Sequence, residues 1–387
     1  MTEKVYYVNS NICDFTARVL SCREEGDGWA VVLDRSAFFP EGGGQPGDRG
    51  RLGGAAVTDV LEADGEILHL CDRPLEAGQT ADGHVDAALR FERKQIHSAE
   101  HIVSGTAHRE WGCNNVGFHM TERAAVLDFD AELVGGQLRT LERLANEAVW
   151  ADLPINILYP SAAELASIPF RQKKELTGQV RLVEIPGVDI CACCAPHADR
   201  TGQLGLIRFT DSMRHRGGMR ITMTAGRAAY QEAAAERDRS AELSRLFSAP
   251  RDGLPQAARR LLGELQRRKD RAADLEQRYT GLLAERLEGE NAAGPVFLPG
   301  EFSAAAMRSL AETLSAGTAM AAVFAGDDES GWRYVMASKE VDLRGAVKAM
   351  NGALRGRGGG SAAMVQGSVT ALRREIETYF GGTCHAS

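Results

Sequence analysis

Phe91-Glu92-Arg93-Lys94-Gln95-Ile96-His97-Ser98-Ala99-Glu100-His101-Ile102-Val103 marks a change in the character of the chain. Apolar residues recur here at helical spacing, and Gly105 and Ala107 continue the row, so a helix is expected over residues 91–112. Upstream, residues 1–90 read as all-β. The short apolar runs Trp29 to Leu33, Ala55 to Val60 and Ile67 to Leu70 alternate with Gly- and Asp-rich turns. Downstream, residues 113–225 read as mixed α+β. Leu138 to Ala151 has the pattern of an amphipathic helix, and Gln179 to Ile185 and Leu204 to Phe209 read as strands.

At roughly 150 residues per domain, 387 residues make two or three domains. The chain is 44% apolar and 25% charged, which excludes bulk disorder. A net charge of −8 excludes a generally basic protein that coats nucleic acid, while leaving room for a local basic patch. No apolar run approaches the roughly 18–20 residues that span a bilayer, and the N-terminal residues lack the pattern of a secretory signal. The expectation is a cytoplasmic chain. Eight cysteines are too few for a disulfide scaffold. Three crowd into Cys191-Ala192-Cys193-Cys194, which in a reducing compartment reads as metal-binding or reactive.

After Gly226 the composition shifts. Ala228 to Glu290 is rich in Ala, Leu, Arg and Glu, interrupted once by Pro250, Gly253 and Pro255, and reads as two helices joined by a turn. In the second, the row Leu254, Ala258, Leu261, Leu265, Arg268, Ala272, Leu275, Tyr279, Leu282, Arg286 has eight apolar members of ten, a narrow stripe suited to a helical hairpin or a helix-mediated dimer. Residues 294–387 read as helix (Ala304 to Leu314), strand (Ala319 to Phe324), strand (Trp332 to Ala337) and helix (Leu343 to Leu354). The glycine tract Gly356 to Ser361, a strand (Met364 to Val369) and a helix (Leu372 to Tyr379) follow.

His97 and His101 lie four apart on the expected helix, so both imidazoles share a face and can converge on one ion. Far downstream, Cys193 and His197 repeat that spacing, and His, His, Cys and His make a zinc-type ligand set. Spacing alone leaves Cys191 and Cys194 as alternatives to Cys193. Ser98, not a glutamate, follows the first histidine, which disfavours HExxH-type peptide hydrolysis. The competing reading makes His97 and His101 ordinary core histidines. The tract Phe38-Phe39-Pro40-Glu41-Gly42-Gly43-Gly44-Gln45-Pro46-Gly47-Asp48-Arg49-Gly50 offers glycine amides and the Gln45 carboxamide to a ligand. It lacks the GK[ST] ending of a nucleotide P-loop, which speaks against ATP binding.

Together, FFPEGGGQPGDRG, HSAEH, CCAPH with the following TGQLG, and RGGMRI through Thr224-Ala225-Gly226 resemble the editing domain of alanyl-tRNA synthetase. The closest likeness is to the long form of the free-standing AlaX trans-editing proteins. The family pattern reads FYPEGGGQ, HxxxH, CGGTH with TGEIG, and GxRRI with TG, and the four motifs stand in that order over residues 38–226. The tract around Gly358-Gly359-Gly360 resembles a DHHA1-type tail. No aminoacylation domain fits ahead of residue 38, so the expectation is an editing protein and not a complete synthetase. Two departures bear on specificity: CGGTH becomes CCAPH, and Phe39 replaces a common tyrosine.

The resemblance implies an α+β chain in four parts: a small β-barrel-like domain over 1–90, a zinc-binding editing domain over 91–226, a helical hairpin linker over 227–290 and a DHHA1-like α/β domain over 291–387. It implies one Zn2+ held by His97, His101, Cys193 and His197. It also implies hydrolysis of the ester in Ser-tRNA(Ala), with Gly-tRNA(Ala) as a second substrate and Ala-tRNA(Ala) spared. Gln45, Gly43 and Gly44 are the candidates for orienting water or the substrate carbonyl. Residues 208–227 hold five arginines against the single acid Asp211, so Arg214, Arg216 and Arg220 are candidate tRNA contacts, with Arg357 in the tail. A homodimer through residues 228–290 or the C-terminal domain is expected, with neither membrane nor DNA as partner. The alternatives are a non-catalytic tRNA-binding module with structural zinc, and a hydrolase of another aminoacyl-tRNA ester.

Overall fold

The structure, a computed structural model, describes residues 2–172, 179–289 and 294–383. It is mixed α+β and divides into two compact units, Met1–Ala241 and Glu242–Ser387. The boundary expected at 290/291 lies outside the described residues. No helix among the described residues is long and apolar enough to cross a membrane.

In the first unit, six antiparallel strands close into a barrel in the order Asp14–Glu25, Gly28–Leu33, Glu66–Cys71, Ala55–Ala63, Gly50–Leu52, Thr80–Val85. Its interior is filled by Val19, Val31, Leu33, Phe38, Leu52, Val57, Val60 and Ile67, all buried. One element there departs from the all-β expectation: Val5–Val8 forms a turn of helix.

The expected helix runs Ala87–Trp111. It begins four residues early because the Asp86 carboxylate accepts a hydrogen bond from the Leu89 N–H at 3.0 Å and so caps it. Gly112, at φ +67°, closes it. The helix is buried along most of its length. Its apolar residues Ile96, Ala99, Ile102, Val103 and Ala107 join a core with the antiparallel sheet Ile207–His215, Gly218–Ala225, Ala125–Phe129, Asn115–Met120 and the helix Gln137–Trp150. The strand expected at Leu204 to Phe209 is displaced. Thr201–Leu204 is a 3-10 turn, Gly205 breaks the chain direction at φ +68°, and the strand starts only at Ile207. Leu182–Ile185, shorter than expected, forms a third sheet with Asn156–Leu158 and Asp189–Ala192.

Charged residues of the central helix seat it on the barrel. The Arg90 Nε donates to Asp48 Oδ2 at 2.9 Å and its Nη2 to the Ala37 carbonyl at 2.7 Å. Asp48 Oδ2 also accepts from the Phe39 N–H at 2.7 Å, and Arg93 donates to the Gly47 carbonyl. The glycine-rich tract is therefore fastened to the helix that carries His97 and His101.

In the second unit, the sheet Val296–Pro299, Ala321–Asp327, Gly331–Ala337, Met364–Val369, Gly356–Gly360 is covered on both faces. Alternation sorts its side chains. Phe324, Trp332, Tyr334 and Met336 face the helices Leu343–Ala353 and Arg373–Thr383, whereas Val323, Ala325, Val335 and Ala337 face Ala304–Leu314 and Ala284. The glycine tract is itself the edge strand Gly356–Gly360, and carries Arg357 exposed. On the long helix Leu254–Gly289, the stripe residues Leu261, Leu265, Leu275, Tyr279 and Leu282 are exposed.

Candidate metal centre

His97, His101, Cys193 and His197 come together, with one ligand atom from each within 4.8 Å of the others. The first two stand a turn apart on the central helix, and the second two follow the strand Asp189–Ala192. Cys193 Sγ lies 3.5 Å from His97 Nε2 and 3.4 Å from His197 Nε2. Metal–ligand lengths of about 2.05 Å to nitrogen and 2.3 Å to sulfur in a tetrahedron separate N and S by about 3.5 Å. The Cys193–His97 and Cys193–His197 separations thus already match those across a tetrahedral site. Of the other two cysteines, Cys191 groups with His101 and Asp189, and Cys194 is exposed.

Each imidazole is held through its other nitrogen. His101 Nδ1 donates to Asp189 Oδ2 at 3.1 Å, and His97 Nδ1 to Gln45 Oε1 at 2.9 Å. Because these partners are acceptors, both rings carry their proton on Nδ1 and turn an unprotonated Nε2 to the centre. His197 Nδ1 lies 3.1 Å from Ser98 Oγ, which also accepts from the Ala198 N–H at 3.0 Å. Ser98, which stands where a metalloprotease has its base, here braces a histidine.

Burial, then repulsion from His101 and His97, holds His197 well below the usual histidine range, in the neutral form a ligand requires. Burial pushes the Cys193 thiol up, and a divalent cation at the point of convergence is what would return it to thiolate. Burial also opposes the charge of Asp189, but hydrogen bonds from His101 and Arg171 hold its carboxyl below the ordinary range. Arg171 donates twice to Asp189, through Nε to Oδ1 and through Nη2 to Oδ2, each at 2.7 Å. The donor set fits zinc, and the structure shows a site able to hold a metal.

The centre opens into a cavity of about 600 Å³ lined by Gly43, Gly44, Glu100, Phe118 and Arg181 among others. The glycine tract makes its tightest turn here. Gly42 and Gln45 exchange N–H···O bonds at 3.0 Å, and Gly43 (φ +61°) and Gly44 (φ +82°) form a two-residue turn that demands positive φ twice. A Cβ on Gly44 would stand 2.6 Å from the Phe118 ring. Gln45 is fully buried, and its Nε2 has no hydrogen-bond partner among the described residues.

The candidate arginines lie elsewhere. Arg214 and Arg220 are on the hairpin Ile207–His215/Gly218–Ala225, with Arg216 at its turn at φ +48°. This hairpin is separated by Ala125–Phe129 from the strand that reaches the cavity. Much of the counted charge is matched by acids from other elements. Arg220 binds Asp128 through two bonds of 2.6 and 2.8 Å, Arg214 is 3.1 Å from Glu132, Arg208 is 2.7 Å from Glu236, and Arg227 is 3.2 Å from Glu92. Reasoning from sequence missed Asp189, Asn115, Arg181 and the buried Glu100 as members of the site. HSAEH placed Glu100 next to a ligand, but only the packing turns it inward.

Residues 180–222 match the family model described as the threonyl and alanyl tRNA synthetase second additional domain. The alanine–tRNA ligase of Methanopyrus kandleri is 32% identical over 291 residues, covering 71% of this chain and 32% of the ligase. That of Pyrobaculum neutrophilum is 30% identical over 397 residues, covering 95% and 42%. The alanyl-tRNA editing protein AlaX-L of Pyrococcus horikoshii is 31% identical over 218 residues, 54% of each chain. The chain spans between 32% and 54% of the length of these relatives. The motifs and these relatives agree: in sequence the chain is AlaX-like, resembling the alanyl-tRNA editing proteins and the matching segment of the alanine–tRNA ligases.

Proposed function

We propose that the protein is a zinc-dependent trans-editing deacylase in the cytoplasm that hydrolyses Ser-tRNA(Ala), and secondarily Gly-tRNA(Ala), while sparing Ala-tRNA(Ala). The observation that carries this reading is the convergence of His97, His101, Cys193 and His197 at a cavity edged by Gly43 and Gly44. When bound, zinc would supply a fixed positive charge beside the ester. The chain's own groups do the rest. Gln45 holds His97 through Oε1, and its Nε2 is the donor left for the substrate carbonyl or an attacking water. The Gly43–Gly44 turn lets backbone approach the acyl group closely. Arg216 and Arg214 contribute to phosphate contacts, Arg220 to holding the hairpin in shape, and Arg357 adds a contact from the tail. The exposed leucines of Leu254–Gly289 are the surface for a homodimer.

A four-ligand set also supports a second reading, a tRNA-binding module with structural zinc. Deacylation of Ser-, Gly- and Ala-tRNA(Ala) by wild type and Cys193→Ala separates the two. Serine release with alanine spared, lost in the variant, supports the deacylase. Tight tRNA binding without ester cleavage supports the module.

A further inference from the structure

Arg181 stands immediately before the strand Leu182–Ile185 and lines the cavity. It grips the loop that carries Cys193 twice. Its backbone carbonyl accepts from the Cys193 N–H at 3.2 Å, and its Nη1 donates to the Cys193 and Ala195 carbonyls at 2.7 and 3.1 Å. The guanidinium also lies over the Tyr7 ring, 5.8 Å from its centroid. These contacts hold the planar group in place beside the metal ligands.

They also occupy only one of its terminal nitrogens. Nε is shielded from solvent and has no hydrogen-bond partner among the described residues, and those residues give Nη2 none either. The buried Arg90 and Arg171 each answer their charge with a carboxylate, Asp48 and Asp189. Arg181 has carbonyls alone among the described residues. A cation partly withdrawn from water calls for an anion. The Nε–Nη2 edge is the planar fork that matches two oxygens of a phosphate. An aminoacyl ester of tRNA brings such an anion with it. The acyl group sits on the ribose of the last nucleotide, and a phosphodiester enters that same ribose one sugar away.

We propose that Arg181, through Nη2 with Nε beside it, binds the phosphodiester of the terminal nucleotide. The cavity then takes its ester as a nucleotide and not as a bare nucleoside or a small ester. This rests on the deacylase reading above. The contact lies at the reacting end of the tRNA, apart from those assigned to Arg214 and Arg216.

The test compares two ligands in which an amide replaces the ester. One is 3′-serylamido-3′-deoxyadenosine, and the other carries in addition a methyl phosphodiester on its 5′ oxygen. Affinities are measured with zinc-loaded wild type, Arg181→Gln and Arg181→Lys. Wild type should bind the phosphodiester form about 10- to 100-fold more tightly, the range of hydrogen bonds to a charged group. R181Q should bring that ratio close to one, and R181K, which keeps a cation, should restore part of it. A merely bracing role would not move the ratio, because loosening the Cys193 loop weakens both ligands together. Equal binding of the two ligands by wild type, or binding of neither, overturns the proposal, as does a ratio that survives in R181Q. Should R181Q fail to fold, R181K decides: a reduced ratio supports the proposal, and an unchanged one overturns it. Cleavage of the matching seryl esters is followed in parallel. An Arg181-dependent ratio with no cleavage of either ester sinks the deacylase reading and leaves the phosphate site standing. Cleavage of both esters at equal kcat/KM, with equal binding, sinks the phosphate site and leaves the deacylase.

Discussion

The barrel and the candidate metal centre each bury histidine, and they treat it differently. In the barrel, His69 uses both ring nitrogens locally: Nδ1 donates to the Val31 carbonyl at 2.9 Å, and Nε2 lies 2.7 Å from Ser36 Oγ. In the centre, His97, His101 and His197 engage Gln45, Asp189 and Ser98 through Nδ1 and direct Nε2 at one another and at Cys193. Burial is common to both regions. What makes a ligand is one nitrogen left aimed at other donors, with the second fixing the tautomer.

Removing a ligand should break this contrast most severely. Cys193→Ala should lower zinc affinity by more than about 100-fold, exceeding the loss from an outer-shell change. Affinity is read by chelator competition, and His69→Gln should leave it at the wild-type value. Changing the nitrogen that does not face the metal sharpens the contrast. Asp189→Asn and Gln45→Ala should each weaken zinc binding by about 10- to 100-fold. Wild-type affinity in both variants would show that the Nδ1 partners are incidental.

The third prediction concerns pH. Burial holds His69 down at about 4, with the Val31 hydrogen bond opposing only in part. Between the unfolded value near 6.5 and about 4, the unfolded chain takes up a proton that the folded barrel refuses. Stability should therefore fall as pH falls through that window, by about 1.4 kcal/mol per unit and about 3 kcal/mol in all. Denaturant titrations at pH 7 and pH 4.5 should show a smaller loss in His69→Gln. Equal losses would remove His69 as the cause. The smallest effect belongs to the surface. Arg216→Ala should reduce the salt dependence of tRNA binding by about one unit of slope. Arg220→Ala should instead lower stability, since Asp128 loses its two-bond partner. An unchanged slope in Arg216→Ala would remove the hairpin turn from the interface.

Local patterns in the sequence reached far. The helix expected over 91–112 is Ala87–Trp111, and the helix over Ala304 to Leu314 and the strand over Met364 to Val369 match residue for residue. Elements set by their own periodicity are legible because the periodicity is local. Charge was less legible. The five arginines of residues 208–227 looked like a patch when counted along the chain, yet Glu132, Glu236, Glu92 and Asp128 come from other segments and pair with four of them.

By itself the sequence determined that His97 and His101 share a helix face, because four residues of α-helix return a side chain to the same side. It determined likewise that the tract Gly42-Gly43-Gly44 could bring its backbone close to a ligand, since glycine carries no Cβ. Spacing left Cys191 and Cys194 open beside Cys193, and only the motif resemblance pointed to Cys193; the tertiary structure gathers Cys193 with the three histidines and turns Glu100 into the cavity. Those outcomes rest on packing between segments up to about a hundred residues apart, where no spacing rule operates and the shape of the shared core decides which side chain points inward.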